Sequence, residues 1–347
     1  MAIDITPFVR PLLLNIEPYQ SAREEFVNDG REMILLDANE NPYSTTVNRY
    51  PDPMQVELKA QIASLKNVQP NQLYLSNGSD ECISQLIMSC CEPNKESIMI
   101  LPPTFGMYKV AARIHGVRVE EVPLTNTFQL DVNAIKKRII SDIKIIFIPT
   151  PNNPTGNCFS KDDILEIIHS FQGLVVIDEA YIEFTAGTSF VRFLDEFPNL
   201  VVLQTFSKAQ GMAGARLGMA FAAPELIHFL NRIKAPYNIN SLTIEAALCR
   251  LKEQHLVQKQ VQLLLKERRM LEEELPKIKC VKKCYPSDAN FLLVAFDDSA
   301  LRYRQLLDKG IVVRNSSKNL SCKNTLRISV GLPDENQTLL TVLKNLK

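Results

Sequence analysis

Three apolar segments in the middle of the chain each end in polar side chains that could take part in catalysis. The most informative of these is Lys208, because a lysine held at the end of a buried strand has a lowered pKa and can attack a carbonyl carbon. A solvated lysine is the alternative interpretation of that position taken alone, so its neighbours decide between the two. The segments and the polar residues that follow them are 144–148 with Asn153, 174–177 with Asp178 and Tyr181, and 200–203 with Thr205, Ser207, Lys208 and Arg216.

The apolar segments alternate along the chain with stretches of helical periodicity. This alternation predicts an α/β fold with a large domain built on a mainly parallel, doubly wound sheet. In such a sheet the carboxyl ends of the strands face one crevice. We therefore expect the side chains of Asn153, Asp178 and Lys208 to lie close together, with the phenol of Tyr181 beside them.

A glycine turn between the apolar residues 73–75 and a helical stretch offers a place for an anion. Gly78, Ser79 and Asp80 begin this predicted helix. The backbone N–H groups of a first helical turn are free to bind a negatively charged group. An ordinary cap, in which the side chain of Ser79 or Asp80 accepts those hydrogen bonds, is the alternative interpretation.

Together these side chains suit pyridoxal phosphate, which carries an aldehyde, an aromatic ring and a phosphate. Lys208 would bond to the aldehyde and later carry a proton, Asp178 would keep the ring nitrogen protonated, and Phe105 would stack on the ring. Each residue alone has an ordinary explanation, such as a strand-end turn or a surface ion pair, and only the combination favours the cofactor. The other predicted contacts are Asn153 and Tyr181 at the phenolic oxygen and Ser79, Asp80, Ser207 and Arg216 at the phosphate, with Gly78 and Thr205 completing the site.

The composition excludes several other classes of protein. The chain has 347 residues, of which 46% are hydrophobic and 22% are charged, so it can bury a core and is not disordered. A formal net charge of +0 gives no electrostatic reason to expect nucleic acid or an anionic membrane as a partner. No apolar run is long enough to span a bilayer, and the N-terminus lacks a signal-peptide pattern, which predicts a cytoplasmic protein.

The 8 cysteines and 4 histidines form no pattern that is typical of metal ligands or disulfide bonds. There is no C-x-x-C pair, and the histidines are far apart in the sequence. We interpret the cysteines as reduced thiols and expect no metal site.

The chain is predicted to have three parts. Within the second part, the apolar run 34–36 is expected to form a short strand that leads into a loop with Asn39. The helical pattern of residues 240–275 fits either one long helix or two abutting helices. The three parts are an N-terminal arm (1–30), a large cofactor-binding domain (31–240), and a connecting helical segment with a smaller C-terminal α+β domain (241–347).

Several motifs resemble those of known enzyme families. Segments 151–156 (PNNPTG) and 178–181 (DEAY), with the stretch from Ser207 and Lys208 to Arg216, resemble the fold-type I aminotransferases. One departure is Phe105, where a tyrosine is common in relatives; the phenylalanine ring can still stack, without a hydroxyl contact. More narrowly, segments 19–23 (YQSAR), 39–42 (NENP), 49–52 (RYPD) and 103–108 (PTFGMY) resemble the histidinol-phosphate aminotransferases, and the resemblance covers essentially the whole chain.

The resemblance implies a homodimer whose active sites lie at the subunit interface. Tyr50 would reach the cofactor phosphate of the other subunit. Arg327 would bind the carboxylate of glutamate or 2-oxoglutarate, and Arg314 would bind the substrate phosphate, because a guanidinium suits both anions. Tyr19 and Asn39 would line the substrate pocket.

The implied reaction transfers the amino group between L-histidinol phosphate and 2-oxoglutarate. Its products are imidazole acetol phosphate and L-glutamate, and it belongs to histidine biosynthesis. Threonine-phosphate decarboxylase and aromatic-amino-acid aminotransferase share the fold and are the alternative activities. A binding protein without catalysis is a further alternative, but regulators of that kind add a DNA-binding domain, for which about thirty residues before the core are too few.

Overall fold

The computed structural model describes residues 4–19, 23, 31 and 33–346. Much of the predicted arm, including Gln20, Ser21 and Ala22 of the motif at 19–23, lies outside the described residues. The described part of the arm contains one short helix, α1 (Pro11–Leu14). Just before it, the side chain of Val9 is buried in the core of the large domain, so this part of the arm is anchored.

A seven-stranded sheet forms the centre of the large domain. Its strands are β1 (Leu73–Asn77), β2 (Ser97–Ile100), β3 (Arg118–Glu121), β4 (Ile143–Pro149), β5 (Leu174–Asp178), β6 (Leu200–Thr205) and β7 (Leu217–Phe221). Their order in the sheet is β1-β7-β6-β5-β4-β2-β3. Neighbours from β3 to β6 are parallel, and β7 is antiparallel to both β6 and β1. The predicted α/β fold with a mainly parallel sheet is therefore confirmed.

Helices cover both faces of this sheet, because its central strands are apolar on both sides. Alternate residues of β5 separate the two cores: Val175 and Ile177 belong to one and Val176 to the other. The helices are α2 (Val56–Lys66), α3 (Gly78–Cys90), α4 (Met107–Ile114), α5 (Val132–Arg138), α6 (Lys161–Ser170), α7 (Pro224–Ile233) and α8 (Ser241–Leu251). The first core includes residues of α2, α5, α6 and α8, and the second includes residues of α3, α4 and α7.

Three of these helices begin at a residue whose side chain accepts a hydrogen bond from the first turn. Asp131 caps α5, Ser160 caps α6 and Asn240 caps α8, which satisfies N–H groups that have no partner inside the helix. The cap residue of helix α3, Asn77, makes no such side-chain hydrogen bond, as is also the case for α2, α4 and α7. The start of α3 is therefore available to another acceptor.

The C-terminal part of the chain forms a second sheet. Its strands, in the antiparallel order β10-β11-β9-β8, are β8 (Val281–Cys284), β9 (Phe291–Phe296), β10 (Arg314–Asn315) and β11 (Thr325–Ser329). Helices α9 (Gln254–Glu274), α10 (Ser299–Asp308) and α11 (Pro333–Lys344) accompany it. Side chains such as Leu271 of α9, Leu292 of β9 and Leu340 of α11 share a separate core. This sheet and its helices match the predicted α+β unit.

The secondary structure decides between two predicted options at residues 240–275 and departs from the prediction at residues 34–36. The helical pattern of 240–275 forms two abutting helices, α8 and α9, which was one of the two options. The strand predicted at 34–36 is wrong: these residues pair with no strand of the described chain, and Ile34 and Leu36 are each 87% exposed. An apolar run forms a strand only where a neighbouring strand accepts its backbone hydrogen bonds, and no strand within the described residues lies beside this one.

The loop after β4 is tied directly to the second sheet. The backbone N–H of Asp288 donates to the Gly156 carbonyl at 2.7 Å, and the Asp288 carboxylate accepts from the Cys158 N–H at 2.9 Å. Gly156 has φ of +83°, and a Cβ there would lie 2.5 Å from Oγ of Ser287. Glycine at this position therefore lets the two units approach closely. In the described part of the chain, no helix is both long and apolar enough to cross a membrane.

Candidate active site

A cavity of about 220 Å³ lies at the carboxyl ends of β4, β5 and β6. It brings together the strand-end side chains that the sequence singled out, although they are far apart along the chain. Of these, Lys208 and Asp178 line the same cavity, as the parallel sheet predicts. Its lining residues are Ser79, Asp80, Phe105, Pro149, Pro151, Asn153, Asp178, Ala180, Tyr181, Thr205, Ser207, Lys208, Ala213, Arg216 and Arg327.

Asp178 is the last residue of β5 and is only 5% exposed. Its Oδ2 accepts a hydrogen bond from the Tyr108 hydroxyl at 2.6 Å, and its Oδ1 accepts from the backbone N–H of Ala180 at 3.1 Å. Burial raises the pKa of Asp178, and these two hydrogen bonds oppose that rise because they stabilise the ionised form. The site thus holds a buried carboxylate with two fixed donors.

Lys208 lies three residues beyond the end of β6, on the wall of the cavity. Its side chain remains partly solvent-exposed rather than fully buried, because the strand is buried but the loop after it opens into the cavity. Its Nζ is 5.6 Å from the centre of the Tyr181 ring. Desolvation by the cavity walls, followed by the nearby charge of Arg327, lowers the pKa of Lys208. A larger fraction of this amine is therefore uncharged and nucleophilic at neutral pH.

A chain of hydrogen bonds links the two sheets across the cavity. The Nη1 of Arg327, on β11, donates to Oδ1 of Asn153 at 2.6 Å, and Nδ2 of Asn153 donates to the Tyr181 hydroxyl at 3.4 Å. The Tyr181 ring packs edge-on against Phe291, with centroids 5.1 Å apart. Burial raises the pKa of Tyr181 to about 12, so its hydroxyl stays protonated at neutral pH. Through the hydrogen bond from Arg327 to Asn153, the second sheet contributes an arginine to the wall of the cavity.

The start of α3 and the loop after β6 form a cradle for an anion. The Arg216 guanidinium reaches this point from a backbone with φ of +55°, an unusual conformation for a residue with a side chain. Its Nη2 lies 3.5 Å from the Asp80 carboxylate, which is its present partner. The hydroxyls of Thr205 and Ser207 lie 3.0 Å apart beside it. Uncapped N–H groups, hydroxyls and a guanidinium are the donors that a phosphate needs.

Two glycines make room for this cradle. Gly78 has φ of +74°, and a Cβ there would lie 2.5 Å from Nη2 of Arg216. Gly218, on β7, passes so close to the start of α3 that a Cβ would overlap the backbone of Gly78 and Ser79. Backbone atoms cannot move aside as a side chain can, so Gly218 is required for the position of the cradle.

We expect Gly218→Ala to push the start of α3 away from Arg216. The predicted result is at least about a tenfold rise in the dissociation constant for the phosphorylated cofactor, with a loss of about 1–3 kcal/mol in the free energy of unfolding. Equilibrium dialysis and chemical denaturation measure the two effects. Gly214→Ala is the matched control, because a Cβ there would meet no atom within 4 Å. Equal cofactor affinity in both variants would contradict the role of Gly218.

The remaining predicted site residues do not line this cavity within one chain. Tyr19, Asn39 and Tyr50 border a second, more open cavity of about 850 Å³. Arg314 is exposed on β10, directly opposite Arg327 in the antiparallel pair β10–β11. The structure thus separates the predicted residues into a central group, an outer arginine and a distant group.

The distant group is held in place by a buried carboxylate. Glu40 accepts from Nη2 of Arg23 at 2.6 Å, from Nη1 of Arg49 at 2.7 Å and from the backbone N–H of Tyr50 at 2.6 Å. The Tyr50 ring stacks on Tyr237, with centroids 4.4 Å apart. Tyr50 is nevertheless 51% exposed, so its hydroxyl is presented outward from a fixed loop.

Sequence reasoning missed two residues of this site, Tyr108 and Gly218. A signal existed for each: a tyrosine in an apolar environment needs a hydrogen-bond acceptor, and a glycine inside a strand often marks a close backbone approach. Neither signal identifies the partner. Among the described residues, no group of three or more His, Cys, Asp or Glu side chains could hold a metal ion.

A lysine, a buried carboxylate and a phosphate cradle at the edge of a mainly parallel sheet define the class of protein to which the site belongs. The chain belongs to the aminotransferase class I and II family, which matches residues 31–343. Within that family, its relatives include histidinol-phosphate aminotransferases. A histidinol-phosphate aminotransferase of Cytophaga hutchinsonii is 49% identical over an alignment of 348 positions that covers 99% of this chain and 99% of the relative.

Solved structures agree on the fold. A histidinol-phosphate aminotransferase of Clostridium acetobutylicum superposes with a TM-score of 0.80 at 27% identity, covering 86% of this chain and 90% of that one. The enzyme of the same name from Sinorhizobium meliloti, in complex with pyridoxal 5'-phosphate, superposes with a TM-score of 0.77 at 21% identity, covering 85% and 82%. The resemblance found in the sequence motifs is therefore confirmed at the level of the family.

Proposed function

We propose that this chain is a pyridoxal-phosphate-dependent aminotransferase that acts on L-histidinol phosphate and 2-oxoglutarate, giving imidazole acetol phosphate and L-glutamate in histidine biosynthesis. The observation that carries the proposal is a pair of neighbouring arginines: Arg327 lines the cavity that also holds Lys208 and Asp178, and Arg314 lies opposite Arg327 on the adjacent strand, outside that cavity. The relative from Cytophaga hutchinsonii, 49% identical along the whole chain, supports the same substrate.

The residues of the cavity fit pyridoxal phosphate. The uncapped start of α3, with no Cβ at Gly78 or Gly218 to fill the space, leaves N–H groups for the phosphate, and Arg216 supplies a positive charge. The proposed ligands of the ring are Asp178 at its nitrogen, Asn153 and Tyr181 at its phenolic oxygen and Phe105 on its face. When bound, the cofactor supplies an electron sink for the negative charge that forms on the substrate carbon.

Lys208 carries out two tasks in this proposal. Its amine, whose pKa is lowered, would hold the cofactor covalently in the absence of substrate and would be free once substrate is bound. The free Nζ then removes the proton from the substrate carbon and returns a proton to the product, as a general base and acid. Asp178, in its ionised form, would hold a proton on the ring nitrogen, and its buried position would strengthen that charge pair.

Two substrates of different shape must use this site in turn. Glutamate and 2-oxoglutarate carry carboxylates, whereas histidinol phosphate carries a phosphate. Arg327 is assigned to the carboxylate, because its Nη1 is held by Asn153 on the cavity wall. Arg314 is assigned to the phosphate, because it lies exposed beside Arg327. Burial, and after it the positive charge of Arg314, lowers the pKa of Arg327. Tyr19 and Asn39 are assigned to the substrate pocket.

The proposal includes a homodimer. Tyr19, Asn39 and Tyr50 border a separate cavity of their own chain, so a contribution from them to the active site requires a second copy. Large apolar side chains exposed near Tyr50, including Ile34, Leu36 and Tyr43 at 80–87%, support a covered surface there. Tyr50 would then donate to the cofactor phosphate of the partner. We also propose that the protein is cytoplasmic and that its chain consists of an arm (1–30), a large domain (31–240) and a C-terminal part (241–347).

Arg314 and Arg327 should have separable effects on the two substrates. We expect Arg314→Ala to raise KM for histidinol phosphate about 10- to 100-fold and to change KM for glutamate much less, because a charged hydrogen bond contributes about 1.5–3 kcal/mol. Arg327→Ala should do the reverse. Half-reactions, followed by the loss or return of the cofactor's visible absorbance, measure each substrate alone. Arg304→Ala, an exposed arginine on α10, is the control, and equal effects on both substrates would refute the assignment.

Turnover of the purified holoenzyme tests the activity itself. Formation of glutamate from histidinol phosphate and 2-oxoglutarate is the expected result. Release of carbon dioxide from O-phosphothreonine would indicate the decarboxylase instead, and preferential turnover of phenylalanine would indicate the aromatic aminotransferase. No reaction with any of the three, in protein that binds the cofactor, would leave the proposed function without support.

A further inference from the structure

A second buried tyrosine contacts the carboxylate at the centre of the site. Tyr108, on α4, is fully buried, and its hydroxyl is 2.6 Å from Oδ2 of Asp178. Its ring is stacked on Phe147 of β4, with centroids 4.6 Å apart, and meets the edge of Phe105 at 5.5 Å. Tyr108 does not line the cavity. It therefore lies behind Asp178 and Phe105, outside the cavity wall.

The packing around the Tyr108 ring fixes the direction in which its hydroxyl donates a hydrogen bond, which is toward Asp178. Because the ring is clamped by two aromatic neighbours, the hydroxyl cannot follow Asp178 if the carboxylate rotates. Burial raises the pKa of Tyr108 well above its ordinary value, so the hydroxyl remains protonated and donates. With the Ala180 N–H at Oδ1, two donors fix the plane of the carboxylate and leave its remaining lone pairs toward the cavity.

Burial disfavours the ionised form of Asp178. A fully buried carboxyl group favours its neutral form, and a neutral acid could not hold a proton on a ring nitrogen. A donor such as the Tyr108 hydroxyl stabilises the ionised form selectively, because hydrogen bonds to a charged acceptor are stronger than those to a neutral one.

We infer that Tyr108 is a positioning residue for the cofactor: its hydroxyl keeps Asp178 ionised and oriented toward the ring nitrogen, while its ring edge supports Phe105. This inference rests on the proposed use of pyridoxal phosphate but not on the identity of the substrate. Tyr108 acts through Asp178 and touches neither cofactor nor substrate.

The test measures the cofactor rather than catalysis. We expect Tyr108→Phe, which keeps both ring contacts, to raise the dissociation constant for pyridoxal phosphate about 10- to 100-fold in equilibrium dialysis of the holoenzyme. Tyr74→Phe is the matched control, because Tyr74 is equally buried and donates to Gln85 at 2.7 Å, away from the cavity. An effect within twofold of the wild type, or an equal effect of Tyr74→Phe, would overturn the inference.

A double-mutant cycle separates positioning from a general structural effect. In an Asp178→Asn background the carboxylate charge is absent, so Tyr108→Phe should change the dissociation constant by less than about threefold. The same fold-change in both backgrounds would show that Tyr108 does not act through Asp178 and would overturn the inference. If Tyr108→Phe alone fails to fold, restored folding in the double variant supports the inference, and continued failure counts against it. Failure of the wild type to use histidinol phosphate would affect only the proposed substrate.

Discussion

Replacing Lys208 by alanine is expected to reduce transamination about 10⁴-fold or more. General acid–base catalysis by a positioned side chain contributes about 10²- to 10⁴-fold, and the same amine also supplies the covalent attachment to the cofactor. Lys208 has these properties because it lies on the wall of the cavity with a lowered pKa. Single-turnover kinetics with histidinol phosphate measures the loss of the chemical step, and the visible spectrum of the holoenzyme measures the loss of the attachment.

Two further variants test whether the effect comes from losing the amine of Lys208, and not from losing its positive charge or from a general loss of stability. Lys208→Arg keeps a positive charge but has no amine that can be deprotonated at neutral pH, so it should be as inactive as the alanine variant. Lys283→Ala, which removes an exposed lysine on β8, should be as active as the wild type. If Lys208→Ala kept the spectrum of a lysine-bound cofactor, another lysine would be the point of attachment and the assignment would be wrong.

The second large effect is expected from Asp178→Asn. Asparagine has nearly the same shape but only one acceptor oxygen, so the change removes the negative charge together with one of the two hydrogen bonds accepted from Tyr108 and Ala180. Removing one partner of a buried charge pair costs about 3–5 kcal/mol, which corresponds to a loss of roughly 10²- to 10⁴-fold in rate. The chemical step should slow because the ring nitrogen of the cofactor is no longer held in its protonated form.

Single-turnover rates and the cofactor dissociation constant check this expectation together. The structure predicts that both worsen, with the free energy of unfolding of the cofactor-free protein unchanged or raised, since a buried charge is removed. Asp195→Asn is the control, because that carboxylate accepts from Gln72 at 2.9 Å outside the cavity. A rate within tenfold of the wild type would mean that Asp178 does not hold the ring nitrogen.

The elements of the fold could be predicted because their signals are local. Residues 174–177 and 200–203 are continuous apolar runs, which suit a strand covered on both faces, and they form β5 and β6. Residues 34–36 carry a similar apolar pattern, yet Ile34 and Leu36 are exposed. The difference is the presence or absence of a neighbouring strand, which no local pattern contains.

The sequence by itself determined the types of the catalytic groups and their place at strand ends, because parallel strands present their carboxyl ends to one crevice whatever their exact packing. Only the tertiary structure decided which side chains support them. Tyr108 and Asp178 are 70 residues apart, and Arg327 and Asn153 are 174 apart. Such contacts depend on how helices and the second sheet pack against the first, with distances set to tenths of an ångström by close packing. Residue type and spacing limit the possible partners of a side chain, and packing selects one of them.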